Sequence, residues 1–192
     1  MKEFLEVLTD DKSKIKYCKI EKRKITTEKG KEVFKKGQMI PQALIKYTVK
    51  HLENLEESGI IRKSSSTWRN TVRALRKPNG SIRLVSNLIA LNDMVGKNGN
   101  YRLSNIRDVI VATQGTKAMP VVDLKDGFYS IEITEEDKYK TAFEFNGRVY
   151  EWNSMIMGYK NSPQVLQRIV DDIFRDLKEK EVEIYIQCAS KS

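Results

Sequence analysis

The sequence has few of the residues that carry extracellular stability, soft-metal binding or imidazole chemistry. Its 192 residues include two cysteines, Cys18 and Cys188, and one histidine, His51. Two isolated cysteines form neither a disulfide framework nor a CxxC zinc site. A lone histidine all but excludes catalytic triads built on imidazole. Long apolar runs are missing too: the longest are a few residues, against the roughly 20 that a membrane-spanning helix needs. The first residues, MKEFLEVLTDDK, are acidic where a secretory or mitochondrial signal is basic or acid-poor. No internal repeat or low-complexity tract occurs. The expected environment is reducing and intracellular.

What is present is a globular composition with an uneven charge. A hydrophobic share of 40% supports a core and excludes wholesale disorder. The length suits one domain or the front of a larger one. The net charge is +9, yet the first hundred residues alone carry +11. A basic front half points to a polyanion partner, nucleic acid first. A solvated lysine-rich surface or a flexible leader would give the same count.

Residues 1–40 are polar and lysine-rich without a sustained period, and read as an extended leader or tether with short strands near Ile25 and Val33. The stretch PQALIKYTVKHLENLEESG keeps Ile45, Val49, Leu52 and Leu55 on one helical face. Pro41 suits its first turn, Gly59 suits its stop, and His51 falls off the stripe as a surface residue. Thr71–Arg76 and Ser81–Val85 alternate around Lys77-Pro78-Asn79-Gly80, whose Asn-Gly pair favours a tight hairpin. A second hairpin joins Lys140–Phe145 to Arg148–Trp152 through Asn146-Gly147.

Met119–Leu124 reads as an apolar strand and Phe128–Ile133 as another, with Thr134–Asp137 a capped helical turn. Ser162 as cap and Pro163 in the first turn open the clearest helix, running to about residue 180. Val165, Leu166, Ile169, Val170, Ile173, Phe174 and Leu177 line its apolar face. Val182–Ile186 is a short apolar strand, left as an open edge if it has no neighbour. Interleaved hairpins and helices make the class α+β.

With so little histidine and cysteine, the available catalytic groups are carboxylates holding hard cations. Mg²⁺ takes oxygen ligands and commonly uses one or two carboxylates plus substrate phosphates. A pair of such ions stabilises both the attacking and the leaving oxygen in phosphoryl transfer. Asp123 closes an apolar Val-Val strand, where a buried carboxylate needs a partner or a cation; a strand-end cap is the plainer reading. Asp126 reads as a turn residue. Asp171 and Asp172 sit adjacent in a helix, where neighbours diverge by about 100°, so they read as surface charge rather than as a metal clamp.

The order of motifs resembles the reverse transcriptases of gypsy-like long-terminal-repeat retrotransposons and their retroviral relatives, over residues 24–186. The similarity runs through Leu55-Glu-Glu-Ser-Gly-Ile-Ile-Arg62 with Ser64–Trp68, Lys77–Arg83, Leu91-Asn92, Tyr101–Ile106, Asp123–Ile131, Lys140–Phe143 and Met155–Pro163 with Gln167-Arg168. The resemblance implies a right-hand polymerase fingers–palm fragment: an antiparallel palm sheet backed by helices, the palm incomplete and no thumb. Residues 1–40 would be a leader and 41–192 the fingers and partial palm.

By the same resemblance Asp123 is the first catalytic, metal-binding carboxylate, with the backbone carbonyl of Leu124 a further Mg²⁺ ligand. Lys77 and Arg83 fold over the incoming triphosphate, as a point charge and a bidentate grip. Phe128 lies under the sugar and selects deoxynucleotides; without the family it reads as a core aromatic. Met157 and Gly158 lie beside the nucleotide, and Trp68 and Trp152 serve packing. Implied partners are an RNA or DNA primer–template and deoxynucleoside triphosphates, with no membrane. The implied location is the cytoplasm, an element particle or the nucleus.

The sequence departs from the family at its second catalytic motif. Two aspartates are expected after Tyr185-Ile186; Gln187 and Cys188 stand there instead. An amide offers no charge, and a thiol prefers softer metals than Mg²⁺. Asp123 alone cannot hold two divalent ions, so the expectation is a truncated or degenerate copy without polymerase activity. Two alternatives remain: a non-catalytic nucleic-acid binder or partner subunit, and a product without function.

Overall fold

In a computed structural model the described residues are 22–28, 30–96, 101, 103, 105–117, 124 and 126–178. The expected strands at 119–123 and 182–186 lie outside them, as do Asp123, Gln187 and Cys188. The chain divides into two compact units, Met1–Gly96 with Phe128–Tyr159, and Lys97–Gly127 with Lys160–Ser192. Helices and antiparallel sheets occur together, as the α+β expectation requires.

In the first unit, α1 runs Gln42–Glu57. Leu52 and Leu55 are buried on its stripe, and Thr48 joins them because its hydroxyl donates back to the Leu44 carbonyl at 2.8 Å. Ile45, Val49 and His51 are half-buried. Gly59, at φ +68°, ends the helix as expected. β1 (Ile61–Lys63) then pairs antiparallel with β5 (Arg148–Trp152), which also pairs with β4 (Phe143–Phe145), in the order β1-β5-β4. β2 (Thr71–Arg76) and β3 (Ile82–Asn87) form a separate hairpin, and α2 (Ile89–Met94) follows.

The centre of this unit is aromatic. Trp152 and Phe143 are fully buried, their rings 5.7 Å apart, with Tyr150 5.8 Å from Phe143 and Tyr129 6.0 Å from Trp152. Trp68 is buried as well, edge-on to Tyr139, so both tryptophans pack.

The turn at Asn146-Gly147 is the expected two-residue connection: φ is +50° and +75°, and Phe145 faces Arg148. A Cβ on Gly147 would meet nothing within 4 Å, so Gly147→Ala tests backbone strain alone. We expect a loss of about 1–2 kcal/mol in denaturant-induced unfolding.

Two local expectations are corrected. Phe128–Ile133 is not a strand: Gly127–Ser130 is a 3-10 turn closed by the Ile131 amide on the Phe128 carbonyl, leaving only isolated bridges at Glu132 and Ile133. The positive φ of Asp126, +54°, turns the chain just before it. The strand expected from Lys140 begins only at Phe143, because the capped turn continues as a 3-10 helix, Glu135–Thr141. Residues 22–28 and 30–35 are extended and bonded to the unit near Ile25 and Val33, both buried. The Arg23 amide donates to Glu132, the Thr134 amide to Arg23, the Lys35 amide to Arg69 and the Arg69 amide to Val33, at 2.7–2.9 Å.

The second unit holds α3 (Ile106–Ala112), α4 (Ser162–Ile173) and α5 (Arg175–Lys178). Asn161, not Ser162, is the N-cap of α4, which shifts Pro163 to the second helical position. Val165, Leu166, Ile169 and Val170 are buried as the stripe predicts; Ile173, in the last turn, is 53% exposed.

Candidate nucleotide site

The β2–β3 hairpin positions two of the expected phosphate-binding cations. Its connection is a three-residue loop, Pro78-Asn79-Gly80, rather than a two-residue Asn-Gly turn. The Lys77 amide donates to Ser81 at 2.8 Å, and the Gly80 amide donates to Lys77 at 2.9 Å. Pro78 supplies the first central φ, and Gly80 takes the left-handed position at φ +80°. The Asn79 side-chain oxygen accepts from the Ser81 amide and hydroxyl at 3.1 and 2.7 Å, stiffening the tip. Leu75 faces Arg83 across the ladder. Because strand side chains alternate, Lys77, Leu75 and Arg73 share one exposed face with Arg83 and Val85.

Arg83 reaches the chain just after β5. Its Nη2 lies 2.7 Å from the Met157 sulfur, and Met157 is 49% exposed. Gly158 follows at φ +100°, and a Cβ there would stand 3.1 Å from the Ser86 carbonyl oxygen. Only glycine fits so close an approach in that backbone region. The Asn92 amide Nδ2 donates to the Gly158 carbonyl at 2.8 Å. Arg83 and Ser86 of β3 and Asn92 of α2 therefore all meet one turn, Met157-Gly158.

Arg83, Met157 and Gly158 are thus brought together, with Lys77 on the same hairpin face. Phe128 is half-buried in its 3-10 turn. Leu124, in the second unit, is 53% exposed. Among the described residues no group of three His, Cys, Asp or Glu could hold a metal ion. Asp171 and Asp172 diverge as expected. Asp171 accepts from the Tyr101 hydroxyl at 2.5 Å and from Gln167 at 3.0 Å, while Asp172 pairs with Arg175 at 2.5 Å. The bond to Asp171 pushes the Tyr101 hydroxyl up to about 12.

Asn92 was visible in the sequence only as part of Leu91-Asn92, with no role attached. An ionic network went unseen altogether. Arg62 bridges Glu151 (2.6 Å) and Glu135, Lys138 bridges Glu135 (2.9 Å) and Glu132 (3.3 Å), and Ser64 donates to Glu151. Hydrogen bonds from Arg62 and Lys138 hold the Glu135 carboxyl down at about 2.

A family model described as reverse transcriptase (RNA-dependent DNA polymerase) matches residues 61–188, more than half of the chain. The chain belongs to the reverse transcriptase family. The Retrovirus-related Pol polyprotein from transposon opus of Drosophila melanogaster is 29% identical to this chain over 170 residues, 86% of the chain and 17% of the relative. Polyprotein P3 of Commelina yellow mottle virus is 32% identical over 143 residues, 69% of the chain and 8% of the relative. The Pol polyprotein from transposon gypsy of Drosophila melanogaster is 26% identical over 168 residues, 84% and 16% of the two chains. The chain therefore spans only a small part of these relatives.

Two solved structures show the fold. Prototype foamy virus protease–reverse transcriptase superposes with a TM-score of 0.76 at 23% identity, over 95% of this chain and 25% of that chain. The foamy viral protease–reverse transcriptase in complex with an RNA/DNA hybrid gives 0.74 at 20% identity, over 97% and 26%. The α+β arrangement of hairpin, sheet and helices is that of a polymerase fingers–palm fragment.

Proposed function

We propose that this chain keeps the nucleotide- and nucleic-acid-gripping part of an RNA-directed DNA polymerase while lacking the groups for phosphoryl transfer. Lys77 and Arg83 would hold the triphosphate, with Met157, Gly158 and Phe128 against the nucleoside. The observation that carries the reading is the single hairpin face bearing Lys77 and Arg83, with Arg83 against Met157. Lys35, Lys36, Arg73 and Arg76 are also exposed on this unit, Arg76 lies over the Tyr47 ring, and Phe34 is 74% exposed. Cations interleaved with aromatic faces suit a nucleic-acid backbone and its bases. The foamy viral relatives, solved with double-stranded DNA and with an RNA/DNA hybrid, support the same partner class.

The donor set does not fit a two-ion Mg²⁺ centre. One carboxylate, Asp123, and the Leu124 carbonyl stand against an amide and a thiol, Gln187 and Cys188. That set supplies neither the charge nor the hard oxygens that two such ions need. No chemical step is assigned through it.

Titrating an RNA/DNA primer–template and adding deoxynucleoside triphosphates with Mg²⁺ tests both halves. We expect binding that weakens steeply as salt rises, and no primer extension. Nucleotide incorporation by the purified chain would overturn the catalytic half. Absence of binding at low salt would overturn the other.

A further inference from the structure

We infer that Asn92 is a positioning residue, which holds the Met157-Gly158 turn in the shape that receives the nucleoside part of a deoxynucleoside triphosphate. The inference rests on the nucleotide-site reading above and adds to it a residue with no assigned role.

Met157 and Gly158 lie outside every helix and strand, both are exposed, and Gly158 sits at φ +100°. The bond that closes the turn is long, the Tyr159 amide on the Ile156 carbonyl at 3.5 Å. A Cβ on Gly158 would meet the Ser86 carbonyl oxygen at 3.1 Å. That approach is made to carbon and offers the Ser86 oxygen no N–H or O–H donor, so it shapes the turn without securing it. What secures it is a donor. The Asn92 side chain brings one to the Gly158 carbonyl at 2.8 Å.

Asn92 is well placed for this because its own position is fixed. Its neighbour Leu91 is fully buried, and the Asn92 amide donates to the Leu88 carbonyl at 2.7 Å. With its base anchored, the short side chain loses little freedom when it binds Gly158. The consequence lies one residue away. Holding the Gly158 carbonyl fixes the Gly158–Tyr159 peptide at the downstream end of the turn, and so restrains the preceding Met157, whose thioether meets Arg83. The cations of the hairpin meet phosphate, whereas the turn meets the nucleoside. Loss of the Asn92 donor should therefore damage recognition of the nucleoside and spare that of the phosphates.

The test compares the unchanged full chain with Asn92→Leu, which keeps bulk and loses the donor, and Asn92→Gln, which keeps a donor. Two probes are titrated, 2′-deoxythymidine triphosphate and inorganic tripolyphosphate, and thermal midpoints are recorded alongside. We expect Asn92→Leu to weaken the nucleotide about five- to tenfold, the size of one lost hydrogen bond. Tripolyphosphate should stay within about twofold on the same scale, and Asn92→Gln should recover part of the loss. Equal weakening of both probes would make Asn92 merely structural and overturn the inference. So would unchanged nucleotide affinity in Asn92→Leu. If the unchanged chain binds tripolyphosphate and the nucleotide equally, or neither, the nucleotide-site reading fails and takes this role with it.

Discussion

Asp137→Ala is expected to cost about 3–5 kcal/mol, enough to unfold a domain of ordinary stability. Asp137 and Lys140 are a buried pair, each side chain 11% exposed and 2.6 Å apart. The carboxylate also accepts from the Ile25 amide at 3.0 Å and from the Thr134 hydroxyl at 2.8 Å. Lys140 in turn donates to the Ile25 carbonyl at 2.6 Å. The pair thus holds both polar groups of one backbone residue in an otherwise extended segment. Truncating the acid would leave a buried ammonium without its counter-charge and the Ile25 amide without its acceptor. Replacing both residues, Asp137→Ala with Lys140→Met, should cost much less than Asp137→Ala alone, because no unpaired charge remains. Urea unfolding of the unchanged chain and the two variants checks this, and a single-mutant loss below about 1 kcal/mol would contradict it.

The same pair predicts acid sensitivity. Burial pushes the Asp137 carboxyl up, but Lys140, the Ile25 amide and the Thr134 hydroxyl outweigh it and leave it below the usual carboxylate range. A group depressed in the folded state stabilises above its unfolded value and loses that contribution as pH falls through its folded value. Unfolding midpoints should therefore drop on acidification below the ordinary aspartate range, and drop less in the double variant.

Gly158→Ala is expected to have the next largest effect, a loss of about 2–3 kcal/mol. Two costs act together there: φ +100° is a region that side chains disfavour, and the new Cβ would press on the Ser86 carbonyl at 3.1 Å. The carbonyl belongs to β3, paired along its length with β2, so it cannot yield as a side-chain tip can. Gly147→Ala carries only the first cost, since its Cβ would enter open space. The difference between the two thermal midpoints measures the close approach by itself. Equal shifts would mean that the turn moves away freely, which would also weaken the case for Asn92.

Much of the fold was legible in the chain. The α1 stripe, the Asn146-Gly147 turn, the buried tryptophans and the apolar face of α4 all follow from local periodicity and turn chemistry. Two segments show where local pattern falls short. Phe128–Ile133 alternates like a strand, but Asp126 and Gly127 turn the backbone before any partner can pair with it. Residues 22–35 carry too few apolar groups to show a period, yet two of them, Ile25 and Val33, are enough to anchor an extended segment. At the site, Lys77, Arg83, Met157 and Gly158 were named from motifs, whereas Asn92 was quoted without a role.

By itself the sequence determined the secondary structure of the hairpins and main helices, the family, and the absence of a carboxylate pair after Tyr185-Ile186. Each of these depends on residues close together in the chain or on their order. Tertiary structure alone decided which polar groups meet. Asp137 finds Ile25 across 112 residues, Lys140 finds it across 115, and Asn92 finds Gly158 across 66. Such bonds leave no local signature, because a buried amide or carboxylate takes whichever partner the folded path brings within about 3 Å, and the path is set by core burial rather than by the polar residues themselves.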